Sequence, residues 1–290
     1  MMNSAQEAGC HDTMHLLIGT AVLAFALYLL AALGPLSRLL GRGPGLIRER
    51  RGFTLSAALA ALLLHGIALY ALLFGTEGMD LGFFNALALV GLNMALIALA
   101  ACMKPAFENL AIVLFPLAGV SILLAETLTH DVLLLPGGSW PLYTHILFSL
   151  LAYSLLAVAA LQAVVLAMQE RRLRRGTAGG MLSALPPLQE MERFLFQLIA
   201  AGFALLTLAL FTGLIFVHNL FTQHLVHKTV LSLLAWLVFA VLLWGRWRFG
   251  WRGRTAIRWT LGGFASLMLA YFGSKLVLEL ILGRHWGLMP

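Results

Sequence analysis

Residues 142–175 read LYTHILFSLLAYSLLAVAALQAVVLAMQERRLRR. The stretch has no charged residue between Leu142 and Met168, and it then turns strongly basic. About 20 mostly apolar residues are enough for a helix to cross a hydrocarbon core of about 30 Å. The pattern therefore predicts a membrane-spanning helix over 142–168 that ends at a basic loop.

The rest of the chain repeats this pattern. Of its 290 residues, 61% are hydrophobic and 11% are charged, whereas a soluble domain carries about 25% charged residues. Backbone groups in lipid must bond within their own segment, which favours helices, and the short alternating segments of a membrane barrel are absent from the sequence. We predict an all-α, polytopic transmembrane helical bundle of eight spans. The spans are 15–34, 54–74, 83–102, 107–125, 142–168, 193–217, 226–245 and 256–282.

Positive charge is confined to alternate loops. The segments 35–53, 169–192 and 246–255 hold most of the arginines, whereas the loops 75–82, 126–141 and 218–225 hold no Lys or Arg. Basic loops stay on the cytoplasmic side. We therefore predict a multi-pass protein of the bacterial inner (plasma) membrane with both termini extracytoplasmic. Its segments are an outer N-terminus (1–14), spans one to five (15–168), a cytoplasmic loop (169–192), spans six to eight (193–282) and an outer tail (283–290).

The net charge of +7 fits this arrangement better than it fits a nucleic-acid partner. Basic loops beside the bilayer interact with anionic lipids of the inner leaflet. We therefore expect membrane lipid as a partner and no nucleic acid. The sequence shows no zincin, P-loop or nucleophile-elbow motif, so we expect no bond-forming chemistry.

Histidine has the opposite distribution to arginine. Of the nine histidines, only His65 falls near the middle of a span, and the topology places the others at or beyond the outer face. Neutral imidazole binds transition metals and haem iron, although a single loop histidine is more often an interfacial residue. We predict no protein-ligated metal site. The histidines are His11, His15, His65, His130, His145, His218, His224, His227 and His285.

His65 has two interpretations. A polar ring in a span usually faces other helices and has a partner. The ring could serve function, or it could make a hydrogen bond between helices, for which Asn85, Asn93 and Gln162 are the candidate partners. In the last span, Lys275 and Glu279 are four residues apart and can pair; we favour a structural pair over part of an ion path.

The second half resembles a known family. The segments HILFSLLAYSLLAVAALQA, LPPLQEMERFLFQ, LFTGLIFVHNLF, HKTVLSLLAW, GWRGRTAIRW and LAYFGSK make residues 142–275 similar to the cytochrome c assembly family, which includes the haem-handling CcsA and CcmC proteins and HemX. With LLLHGIALY and FFNALALVGL added, the resemblance extends over nearly the whole chain to the YpjD branch of that family.

The resemblance implies a haem cofactor and a set of site residues. His65 matches the family's first membrane histidine, His145 matches the outer histidine that begins a span, and His285 is a loose match to the last outer histidine. Lys228 matches the lysine of the family's Trp-rich motif, and Trp236 follows it at the family's spacing. Trp244 stands where the family has its second membrane histidine, and HNLFTQHLVHK replaces the tryptophans and aspartate of the external loop. His227, three residues after His224 on one helix face, completes the candidate haem ligands.

Two functional hypotheses follow. In the first, the protein binds or relays haem through membrane and outer-face histidines, together with other cytochrome c assembly or membrane proteins. In the second, it is a non-haem accessory or transport-related membrane subunit that retains the fold. A haem absorption spectrum distinguishes the two hypotheses.

Overall fold

The structure, a computed structural model, describes residues 2–41, 51–75, 78–104, 107–128, 134–135, 140–175, 186–216 and 223–273. Within these ranges, the side chains of residues 2–16, 75–79, 134–135, 216, 223–227 and 272–273 are outside the description. The helices are α1 (Met2–Leu40), α2 (Arg51–Leu73), α3 (Phe83–Cys102), α4 (Ala111–Leu128, preceded by the 3-10 turn Glu108–Leu110), α5 (Trp140–Arg174), α6 (Leu188–Phe216), α7 (Gln223–Phe249) and α8 (Gly253–Met268, continued by the π-helical turn Leu269–Gly273).

Seven helices in the described part of the chain are long and apolar enough to cross a membrane. This confirms the prediction of an all-α, polytopic transmembrane protein. The predicted eighth span begins as α8, and its continuation to residue 282 lies outside the described residues. The side on which the termini lie stays a prediction. The helices expose large apolar side chains, such as Leu63 at 61% and Ile67 at 59% on α2, and in a membrane such faces contact lipid.

The helices are longer than the apolar spans. Helix α1 continues through Pro35 to Leu40, so Arg38 lies in its last turn rather than in a loop. Helix α5 likewise carries its basic residues to Arg174, and α7 includes Arg246 and Arg248. Hydropathy detects only the part of a helix in hydrocarbon, whereas a hydrogen-bonded helix can continue through the interface, where long cationic side chains reach water.

The chain forms two compact units, residues 1–136 and 137–290. In the first unit, α1 packs against α2 and α4, and α3 packs against α2 and α4. The helices approach closely because many buried residues are small. A Cβ added at Gly91 of α3 would lie 3.0 Å from Cβ of Ser121 and 3.3 Å from Cα of Ala118, both on α4. Small residues of this kind bring helices together in membranes.

A small antiparallel sheet lies beside the first unit's helices. Its strands are β1 (Phe74–Gly75), β2 (Gly78–Asp80) and β3 (Leu134–Leu135), with β2 in the centre. The register pairs Phe74 with Met79 and Asp80 with Leu134. This pairing holds Asp80 next to the start of α3.

In the second unit, α5 packs along α6, while α8 packs against α5 and α7. The turn between α7 and α8 contains Gly250 and Gly253 with φ values of 65° and 53°, a left-handed conformation that favours glycine. The N–H of Gly253 donates to the Glu192 carboxylate of α6. The turn is therefore fixed to the neighbouring helix.

Candidate functional site

His145 lies in the second turn of α5, and its ring is half-buried against α6. Its Nδ1 is 2.8 Å from the backbone carbonyl oxygen of Ala209. A carbonyl can only accept, so Nδ1 carries the proton, and in the neutral ring Nε2 carries the lone pair. The Thr212 hydroxyl lies further from Nδ1, at 3.4 Å, and donates to the Leu208 carbonyl at 2.8 Å. The Ala209 carbonyl therefore sets the tautomer of His145.

Gly213 leaves space for the His145 ring. A Cβ at this position would lie 3.0 Å from Cε1 and 3.3 Å from Nδ1 of the ring, tighter than ordinary van der Waals contact. The imidazole therefore lies directly against the backbone of α6. We call His145, Ala209, Thr212 and Gly213 the His145 site.

The arrangement at Nδ1 matches that of metal-binding histidines. Such histidines usually donate the second ring N–H to a carbonyl or carboxylate, which fixes the ring and raises the basicity of the ligating nitrogen. In the His145 site, the Ala209 carbonyl supplies this contact to Nδ1 and leaves Nε2 as the ligand atom. The residues therefore fit a haem group that would be held through its iron by one imidazole. Within the described part of the chain, no group of three or more His, Cys, Asp or Glu could hold a metal ion without such a macrocycle.

His65 has different surroundings in the first unit. The residue is 0% exposed. Its Nδ1 lies 3.2 Å from the Tyr28 hydroxyl of α1, and the two rings meet edge to face with centroids 5.9 Å apart. Nε2 has no hydrogen bond of ordinary geometry within the described residues, but the backbone of Ala88 on α3 lies within reach of a weaker hydrogen bond to the ring.

The partner of His65 is therefore Tyr28, not one of the three amides considered from the sequence. Asn85 instead donates to Asp80 at 3.1 Å. Gln162 belongs to the second unit and donates to the Met191 carbonyl at 3.3 Å. Tyr28 lies 37 positions before His65 in an apolar stretch, and only its polar hydroxyl in mid-span could have indicated it.

The two aromatic motif positions contact neighbours in the second unit. The indole N–H of Trp236 on α7 donates to the Thr207 hydroxyl of α6 at 3.0 Å, and its ring stacks on Phe203 with centroids 5.6 Å apart. Trp244 is 56% exposed and meets Phe249 edge to face. Lys228 begins the membrane part of α7.

Other predicted site residues cannot be placed. His227 lies in α7, but its side chain is outside the described residues, and the whole of His285 is outside them. The same holds for the predicted pair Lys275 and Glu279. These positions stay predictions.

Sequence reasoning also missed two buried carboxylates at the arginine-bearing helix ends. Glu108, 7% exposed, lies 3.0 Å from Nε of Arg38 and 3.9 Å from Nε of Arg51. Glu192, 8% exposed, lies 3.5 Å from Arg252 and 3.9 Å from Arg246. An acidic residue beside a basic loop could have indicated each pair, although not its partners.

The fold and the site together define a class of protein. It is an apolar helical membrane protein in which a backbone carbonyl orients a histidine ring. Residues 54–282 match the model of the family described as Cytochrome C assembly protein. The chain belongs to the cytochrome c assembly protein family. It is 34% identical to the inner membrane protein YpjD of Escherichia coli K12 over 243 residues, which cover 82% of this chain and 92% of that protein.

A second relative is an uncharacterized 28.8 kDa protein in the nifR3-like 5′ region of Azospirillum brasilense, 36% identical over 141 residues, which cover 48% of this chain and 52% of that protein. No solved structure matches the chain. The apolar helices and the similarity to an inner membrane protein confirm the predicted location in the inner membrane.

Proposed function

We propose that the protein handles haem in the inner membrane and that Nε2 of His145 would hold the haem iron. One observation carries the proposal: the Ala209 carbonyl accepts a hydrogen bond from Nδ1 at 2.8 Å. Family membership supports haem as the ligand class.

The His145 site contributes binding and orientation. The carbonyl holds the ring in the tautomer that presents the Nε2 lone pair, and Gly213 lets the ring lie against α6. Haem would supply the iron and its redox chemistry when bound. The chain's own contribution is to bind or relay it, in concert with other cytochrome c assembly proteins, at the end of α5 that the topology predicts to be outside.

The resemblance also implies His65 and, loosely, His285 as ligands, and the spacing from His224 made His227 a further candidate. An iron ligand needs space beside its nitrogen for the macrocycle, and His65 is 0% exposed. His145 is therefore the ligand that the described residues favour over His65, and His227 and His285 remain candidates.

The test is an absorption spectrum of the full-length protein purified after expression with ample haem. We expect a Soret band in the wild type and its loss in His145→Ala, because the variant lacks the ligand nitrogen. Added imidazole should restore the band by entering the space the side chain left. His65→Ala is the matched control and should keep the band.

The proposal fails if the wild type has no Soret band, or if His145→Ala keeps the band with unchanged position and intensity. Thermal unfolding and gel filtration of each variant separate loss of ligand from loss of fold.

A second function has its own support. Trp236, which the resemblance assigns to a haem-associated motif, connects α7 to α6 through Thr207 and Phe203. Because these contacts give Trp236 a role in helix packing, they favour an accessory or transport-related subunit that keeps the fold without haem. That function predicts a co-purifying protein partner and a wild type without a Soret band.

A further inference from the structure

Helix α7 carries a stripe of exposed side chains that ends in an arginine. The apolar members, Val230, Leu233, Leu237 and Trp244, are each between 53% and 57% exposed, and Arg248 is exposed as well. Successive members are three, four or seven residues apart, the spacing that places side chains on one helix face. The stripe is therefore one face of α7 that the described residues leave open.

The arginine at the end of the stripe differs from its neighbours. Arg246 and Arg252 both lie beside the Glu192 carboxylate. Arg248, in contrast, makes no ion pair within the described part of the chain. Its guanidinium lies over the Phe249 ring, 5.9 Å from the centroid. Such a contact orients the group through its face, and the N–H donors around its edge stay available for a ligand.

Exposed aromatic rings surround this arginine. Trp244, Trp247 and Phe249 are all exposed at this end of α7, and such rings are typical of the headgroup level of a membrane. At a rise of about 1.5 Å per residue, Leu237 and Arg248 are about 16 Å apart along the axis. Half of a hydrocarbon core is about 15 Å. The lower part of the stripe therefore matches one leaflet, with Arg248 at its headgroups.

We propose that this face of α7 binds one anionic phospholipid. An acyl chain lies along Leu237 and Trp244, and the guanidinium of Arg248 holds the phosphate. A guanidinium can donate two parallel hydrogen bonds to phosphate oxygens. A helix from a second copy of the chain could cover the apolar part of the stripe, but it would supply no negative charge for Arg248. Charge complementarity therefore favours the lipid.

This surface is separate from the His145 site, which α5 and α6 form. The inference does not depend on the proposed haem function, because it concerns the protein without haem. It also assigns different roles to arginines at the same helix end. Arg246 and Arg252 neutralise a buried carboxylate within the protein, whereas Arg248 serves a ligand from the membrane.

Native mass spectrometry of the delipidated full-length protein in a neutral detergent tests the proposal. The protein is titrated with phosphatidylglycerol and, separately, with uncharged phosphatidylcholine. We expect tighter binding of phosphatidylglycerol, and an affinity about fivefold lower in Arg248→Gln. The matched control is Arg171→Gln, which removes the same charge from an exposed arginine in the last turns of α5. This control should change the affinity by less than about twofold.

Three results would overturn the proposal. An equal loss in Arg171→Gln would mean that the lipid responds only to the total positive charge. Equal affinities for the two lipids in the wild type would mean that Arg248 does not select a phosphate. Displacement of phosphatidylglycerol by inorganic phosphate would make the ligand a free anion rather than a lipid. Both arginines are exposed, and thermal unfolding of the two variants separates lost binding from lost fold.

Discussion

At their arginine-bearing helix ends, both units pair a buried carboxylate with two arginines. Their histidines, in contrast, have different surroundings. In the first unit Glu108 pairs with Arg38 and Arg51, and in the second Glu192 pairs with Arg246 and Arg252. Each carboxylate is buried and joins side chains from different parts of its unit. The recurrence indicates a structural role for both clusters.

The histidines do not recur in this way. His65 is enclosed, with a tyrosine on Nδ1, whereas His145 is half-buried with a backbone carbonyl on Nδ1. A side-chain hydroxyl can donate or accept, but a carbonyl only accepts. Under the proposed function, the Ala209 carbonyl opposite Nδ1 leaves Nε2 of His145 as the ligand atom, whereas the Tyr28 hydroxyl does not by itself set the tautomer of His65.

The largest loss of stability should come from breaking the ion pairs that Glu108 and Glu192 make with arginines. Removing one partner of a buried ion pair costs about 3–5 kcal/mol. We expect Glu108→Gln to lower the free energy of unfolding by about 3 kcal/mol. Glu192→Gln should cost less, about 2 kcal/mol, because Arg252 is 63% exposed and water can replace its partner. Unfolding in detergent measures both.

Glu190→Gln provides the control for these variants. Glu190 lies on α6 one half-turn from Glu192 and is exposed, so we expect a change below about 0.5 kcal/mol. If Glu108→Gln proves no more destabilising than Glu190→Gln, the two clusters are not structural and the comparison between the units loses its common element.

An intermediate effect should come from Gly213. In Gly213→Ala, the new methyl group would press on Cε1 of His145 and turn the ring away from the Ala209 carbonyl. Loss of such an orienting contact lowers metal affinity by about 10–100-fold. We expect haem affinity to fall by at least about tenfold, measured by haem titration of the purified protein.

The matched variant is Gly262→Ala on α8, where an added Cβ meets no atom within 4 Å. It should leave haem affinity unchanged. Equal haem affinities for the two variants would mean that ring orientation in the His145 site does not control haem binding. The different surroundings of His65 and His145 would then have no functional meaning.

Hydropathy alone predicted the membrane helices well. The predicted span 83–102 coincides with α3, and 54–74 starts about three residues after α2 begins and ends about one residue beyond it. Errors lie at ends such as that of α5, which continues to Arg174. Apolar content defines the hydrocarbon part of a helix, and no strong signal marks where the helix stops in the interface.

The site was less predictable, for a physical reason. The resemblance supplied His145, but its orienting partner is a backbone carbonyl, which every residue has. Gly213 is one of many glycines in apolar segments, and nothing in the sequence distinguishes it from the others. The Tyr28–His65 contact joins distant positions of two helices and depends on helix rotation, which hydropathy does not determine.

The smallest effect concerns Trp236, and it tests whether the second unit's motif position serves the fold or the ligand. Trp236→Phe keeps an aromatic ring beside Phe203 and removes the N–H donated to Thr207. A neutral hydrogen bond contributes about 0.5–1.5 kcal/mol, and the Thr207 side chain is exposed, so we expect a loss near the lower limit of that range. Chemical unfolding in detergent measures it, and Thr207→Val combined with Trp236→Phe should add little further loss if the two groups act as one pair.

The haem spectrum of Trp236→Phe should match that of the wild type. A variant with normal stability but a displaced or missing Soret band would instead make Trp236 a haem contact, and the ligand site would then extend from α5 and α6 onto α7.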